Sequence, residues 1–270
     1  MDMRKIVKNA AVSAIAATLV LICAGCDRQP AEPAESAKPA PKISIEDDRP
    51  EEPSYEPVIE ETDLIEDSEE AVDPPDVANS FFAERINDEV FSRMQGKSFP
   101  DSCTTSRDDL RLLHLLYKDI NGDTCEGEMI CNVAIADSLV DIFRQLYDND
   151  YPIEKMVLID EYGGDDDASM ADNNTSCFNF REVSGTGKLS KHAYGLAVDL
   201  NPRYNPYIHK INGETLIEPE NGKEYADRSL EFDYKIDEDD LAYKLFTGAG
   251  FTWGGSWKNS KDYQHFQYTP

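Results

Sequence analysis

The chain has 270 residues, with 54 acidic against 26 basic side chains and a formal net charge of −28. That length accommodates one ordinary domain with extra segments, or two small domains. So acidic a balance argues against nucleic acid as a partner, whose phosphates need Lys and Arg to displace their counterions. It argues equally against electrostatic docking on anionic lipid.

Arg4, Lys5 and Lys8 precede an apolar run from Ala10 to Ile22, which Ala24-Gly25-Cys26 closes. The layout is that of an export signal, shorter than the roughly 20 apolar residues of a membrane span. The small-small-Cys ending resembles a bacterial lipoprotein cleavage box, except for Cys23, where such boxes carry an aliphatic residue. The resemblance implies a signal over residues 1–25, lipid on Cys26, and an extracytoplasmic protein anchored to the cell membrane through that lipid. An ordinary cleaved signal would place the protein on the same side without the anchor.

Residues 26–79 have a different composition. Between Asp27 and Asn79 there are nine Pro, eighteen Asp or Glu and four Lys or Arg, with one aromatic residue. Such a segment cannot bury enough apolar surface to offset its ordering entropy, so a disordered acidic tether is expected here. A folded domain then spans 80–270.

Within that domain Phe82, Ile86, Val90 and Met94 recur at helical spacing behind the capping candidates Asn79 and Ser80. Residues 96–105 read as loop. Asp109 to Lys118 reads as a strand, Asn121-Gly122 as a hairpin turn, and Glu128 to Cys131 as the partner strand. Asn132 caps a helix with the stripe Ile135, Leu139, Ile142, Phe143 and Leu146. Lys155 to Asp160 reads as a strand after Pro152, and residues 163–174 as a polar loop. A last helix covers about 237–246, stopped by Gly248 and Gly250. The mixture predicts an α+β fold, an antiparallel sheet with helices packed on one side.

Beyond Cys23 and Cys26 the chain has Cys103, Cys125, Cys131 and Cys177. Four cysteines allow three pairings, and both disulfides and buried thiols stay open.

The chain holds four histidines. His192 lies in Ser190-Lys191-His192-Ala193-Tyr194-Gly195-Leu196-Ala197-Val198-Asp199. Leu196, Val198 and Leu200 alternate with Ala197, Asp199 and Asn201, so Asp199 points off the apolar face of a strand. A tight turn at Gly195 would bring His192 back beside it. His265 lies in Asp262-Tyr263-Gln264-His265-Phe266-Gln267, too rich in aromatics for an exposed tail. Two imidazoles and a carboxylate would make three ligands of a catalytic zinc site, leaving one position for water. Asp262 could then accept the proton of that water and pass it on. A hydrogen-bonded polar cluster without metal fits the same spacing. His114, in an apolar strand, and His209, in a loop rich in Pro, Tyr and Asn, are expected outside the site. Asp165-Asp166-Asp167 lacks the spacing of an EF-hand loop and reads as solvated surface.

Ser-x-His-x-x-Gly-x-Ala-x-Asp followed by Asp-x-x-His resembles the family of D-alanyl-D-alanine carboxypeptidases and L-alanyl-D-glutamate endopeptidases, zinc peptidases that cleave peptidoglycan. Asn173-Asn174-Thr175-Ser176-Cys177-Phe178-Asn179-Phe180-Arg181, Phe251-Thr252-Trp253-Gly254-Gly255 and Tyr151-Pro152-Ile153 are similar to the same family. The resemblance covers most of residues 100–270. It implies that His192, Asp199 and His265 hold zinc and that Asp262 is the catalytic base. It further implies that Arg181 faces the scissile carbonyl and that Ser190 helps hold substrate. Peptidoglycan stem peptides are the implied substrate, with carboxypeptidase activity favoured over the endopeptidase alternative. A wall-binding or zinc-binding lipoprotein without turnover is the rival from another class. Ser256, Cys125 and Cys177 depart from what the family leads one to expect.

Overall fold

A computed structural model describes residues 77–183 and 186–270. All of them lie in the second of two units, residues 68–270. The expectations for the signal, for Cys26 and for the tether as far as residue 76 lie outside the described residues. Val77–Asn79 form a single 3-10 turn. Among the described residues no helix is long and apolar enough to cross a membrane.

The expected first helix divides in two. Phe82–Arg85 form strand β1 and Asp88–Met94 form helix α1. The cap is Asn87, whose side chain accepts the Val90 N–H at 2.9 Å, not Asn79 or Ser80. Phe82 fits the helical spacing, yet it pairs in register with His114 across the sheet. Its exposed ring stacks on that imidazole at 4.4 Å. Ile86, Val90 and Met94 keep the buried stripe.

Strands β2 (Leu110–Lys118) and β3 (Thr124–Asn132) form the expected hairpin. At its turn Asp119 Oδ1 accepts the N–H groups of Asn121 and Asp123, at 2.8 and 2.9 Å. Helix α2 (Ala136–Asp148) buries Leu139, Ile142, Phe143 and Leu146. Its cap is Ile135, with no side-chain bond, because Asn132 accepts from Ala134 and turns the chain earlier. Leu113, Leu115 and Met129 share a core with α2, whereas Leu110, Leu112 and Ile130 pack with α1. The fold is α+β with antiparallel sheets, but its helices are not confined to one side.

Residues 155–160 do not form a strand; Lys155 makes one isolated bridge, to Asn174. The Asn174 carboxamide accepts from Val157 N and donates to Val157 O, at 2.9 and 3.1 Å. A side chain thus takes the backbone groups that a neighbouring strand would have taken. The acidic loop after it contains helix α3 (Asp166–Ala171), capped by Asp165.

The remaining elements are short. Strands β4 (Glu182–Val183) and β5 (Lys188–Leu189) pair with each other. A sheet of β6 (Ala197–Asp199), β11 (His265–Gln267) and β9 (Thr252–Trp253) has β11 at its centre. The hairpin β7 (Tyr207–Ile211) and β8 (Glu214–Glu218) pairs through β7 with β10 (Lys261–Asp262). Helix α4 runs from Leu241 to Gly248, capped by Asp240, which accepts from Ala242 and Tyr243. Its Phe246 meets Phe143 of α2 edge-on and stacks on Phe266 of β11 at 4.4 Å. That aromatic column ties the helices to the strand carrying His265. Cys103, Cys125, Cys131 and Cys177 are all free thiols.

Candidate metal centre

Ser190 starts the site. Its Oγ accepts the His192 N–H at 3.3 Å and opens a 3-10 turn over Lys191–Tyr194. Gly195 ends the turn at φ 66°, in the left-handed region that glycine tolerates best. A Cβ there would also come within 2.7 Å of the Asn132 amide nitrogen. The chain then enters β6, with Leu196, Val198 and Leu200 in the core, as their alternation predicts. Asp199 stands opposite His265 in the β6–β11 register.

Three buried side chains meet here. His265 Nδ1 lies 2.9 Å from Asp199 Oδ1 and 3.1 Å from His192 Nε2. His192 Nε2 is 3.2 Å from Asp199 Oδ2. The Cys177 carbonyl lies 2.6 Å from His192 Nδ1, placed to accept that nitrogen's N–H, the tautomer in which the Nε2 lone pair faces inward. Gln267 Oε1 sits 3.2 Å from His265 Nε2 and can orient the second ring in the same way. Burial alone would raise the Asp199 carboxyl, but the imidazoles of His192 and His265 hold it well below the usual carboxylate range. Burial would lower His192, and Asp199 more than offsets it, so the imidazole is raised.

This donor set fits a metal ion. One ligand atom from each of His192, Asp199 and His265 lies within 4.8 Å of the others. Two facing imidazole nitrogens cannot both present lone pairs to each other without a cation or a shared proton between them. Two imidazoles and a carboxylate, with the outer nitrogens held by oxygen acceptors, match the ligand chemistry of catalytic zinc.

Asp262 lies beside them at the edge of β10. Its Oδ1 is buried and has no hydrogen-bond partner. Burial is the main reason its carboxyl is pushed up to about 7, with the charge of Asp199 adding and that of His265 opposing. Gly254 backs it: a Cβ on Gly254 would lie 2.7 Å from that of Asp262. His192, Asp199, Asp262 and His265 line a pocket of about 400 Å³ together with Arg181, Ser190 and Trp257.

Residues 184–268 match the model of a family described as D-alanyl-D-alanine carboxypeptidase. That segment is similar to a family of peptidases. It contains Ser190, His192, Asp199, Asp262 and His265; Arg181 precedes it. No curated protein and no solved structure matches the chain.

The pocket also holds groups that the sequence left outside. Asp166, expected in a solvated run, is largely buried and pairs with Arg181 at 2.7 Å. Burial raises its carboxyl while Arg181 opposes the shift. No local pattern announces this contact, because the partners come from α3 and from the residue before β4. His209 was expected in a loop away from the site, but it lies on β7 and lines the pocket. It stacks on Tyr207 at 4.3 Å, and Glu218 Oε2 lies 3.3 Å from its Nε2. The alternation Tyr207-x-His209 was the available signal. His114 stays outside, 3.1 Å from Glu84.

Proposed function

We propose that the protein is a zinc-dependent peptidase of peptidoglycan stem peptides, acting as a D-alanyl-D-alanine carboxypeptidase. One observation carries this reading: His192, Asp199 and His265 converge beside the unpaired Oδ1 of Asp262, within the segment that matches the family. Zinc held by the three ligands would acidify water and polarise a carbonyl. Asp262 is the base, taking a proton from the attacking water and giving it to the departing amine. Its raised affinity for protons suits a group that must both take and return one near neutral pH. Arg181, held by Asp166, supplies positive charge where the oxyanion develops. Ser190 keeps its hydroxyl proton for substrate, because its oxygen already accepts from His192. A binding protein without turnover has no use for both an unpaired buried carboxylate oxygen and an anchored guanidinium.

The export signal over residues 1–25 and lipid on Cys26 would hold this domain outside the cytoplasm, on an acidic tether, where the wall is the nearest substrate. Nucleic acid has no place in this reading.

The test incubates the full chain with a defined pentapeptide stem, with and without chelator, and reads products by mass spectrometry. Loss of one terminal alanine, stopped by chelator and restored by zinc, is expected. A cut between L-Ala and D-Glu would move the activity to the endopeptidase. A folded, zinc-loaded protein that cuts neither bond would refute the peptidase reading.

A further inference from the structure

Gln264 stands between the base and a metal ligand, and neither role accounts for it. Gln264 is among the residues that line the pocket, and it is only 1% exposed. Its Oε1 is buried without a hydrogen-bond partner. The backbone needs nothing from this side chain, because the Gln264 carbonyl accepts from Leu200 N at 3.0 Å. Gln264 follows Asp262 by two residues, across the bend between β10 and β11, and both line the same pocket. A carboxamide left unpaired in a buried position costs stability, whereas an apolar side chain of the same shape would cost none. The oxygen therefore waits for a donor that enters the pocket from outside.

We propose that Gln264 is a substrate-binding residue whose Oε1 accepts the N–H of the scissile peptide bond; this rests on the peptidase reading above. The chemistry selects that group. Asp262, once it carries the proton taken from water, must deliver it to the same nitrogen, so one acceptor and one donor serve a single leaving amine. Holding its N–H on Oε1 turns the nitrogen lone pair, as it forms, toward Asp262. The inferred specificity is for amides over esters at the cleaved bond, because an ester oxygen has no proton to offer.

The experiment is a cycle of two enzymes and two substrates. Wild type and Gln264→Met, both zinc-loaded full chains, are assayed on a stem peptide and on its matching ester, in which oxygen replaces the scissile N–H. The expected result is a fall in kcat/KM of roughly tenfold for the peptide and little change for the ester. Metal content should be unaltered and the melting temperature equal or higher. Gln264→Glu, which keeps an acceptor, should keep the difference between the two substrates. Equal losses on both substrates, no loss on either, or loss of the difference in Gln264→Glu would overturn the inference while leaving a working peptidase. Wild type that cleaves neither substrate would remove the peptidase reading itself, and this inference with it.

Discussion

Between Leu110 and Asp148 a nine-rung hairpin lies under a helix, and no polar side chain there is buried. From Asp160 to His265 the buried polar residues crowd together, and Asn173, Asn174, Thr175, Asn179, Asn201 and Asn205 are among them. The first region gains stability from apolar area removed from water, about 25 cal/mol per Å². The second replaces regular pairing with side-chain bonds to backbone: Asn201 bonds Glu154 N and Pro152 O, and Asn205 bonds Ile236 N and Tyr234 O. Strands of two or three residues suffice there because these amides hold the loops. The difference teaches where function can sit. A site needing an unpaired carboxylate oxygen and facing imidazoles is built in the polar region, and the apolar layer carries the cost.

The sharpest way to separate the two is Asp262→Asn. Peptide cleavage should fall by about 10³-fold with metal retained. Because the folded carboxyl titrates near 7, above its unfolded value, the metal-free fold holds the proton more tightly than the unfolded chain. That contribution is favourable at low pH and is lost as pH rises toward 7. The Asn variant should therefore be more stable than wild type above pH 7, measured by denaturant unfolding without metal. In wild type, kcat/KM should fall as pH drops and Asp262 takes its proton, with the midpoint at or below 7 because a bound dication lowers it.

Phe143→Ala should do the reverse. Truncating a ring with no exposure, packed edge-on against Phe246, should cost about 3–5 kcal/mol in unfolding. The folded fraction should keep its zinc affinity. Asn174→Ala lies between the two, removing three bonds, two to Val157 and one to Ser169. A loss of about 2 kcal/mol is expected together with reduced turnover, since Ser176, two residues on, pairs with the Asp199 backbone. The smallest effect belongs to Asp166→Ala. Arg181 stays but loses its anchor, so kcat should fall about tenfold, while unfolding stability changes little because the burial of Asp166 already offsets its attraction to Arg181.

The same division decided what could be read in advance. The hairpin and α2 were legible because their apolar residues repeat at one period over many positions. Gly195 and the alternation through Asp199 were legible because a turn and a two-residue period act locally. Phe82 misled because its spacing from Ile86 fits a helix, while its pairing with His114 depends on a strand 32 residues away. Asn174 standing in for a strand, Asp166 reaching Arg181 and His209 entering the pocket are contacts across the fold. Composition carries no trace of them, and only the last left a pattern in its own strand.

The central claim is that His192, Asp199 and His265 bind zinc as one set. Zinc-edge X-ray absorption on the loaded full chain tests it most directly. The account predicts one zinc per chain bound by two imidazole nitrogens and carboxylate oxygen at about 2.0–2.2 Å, with a further light-atom ligand. The His265→Ala protein should give no such spectrum. Sulfur at about 2.3 Å, or an unchanged spectrum in the His265→Ala protein, would contradict it.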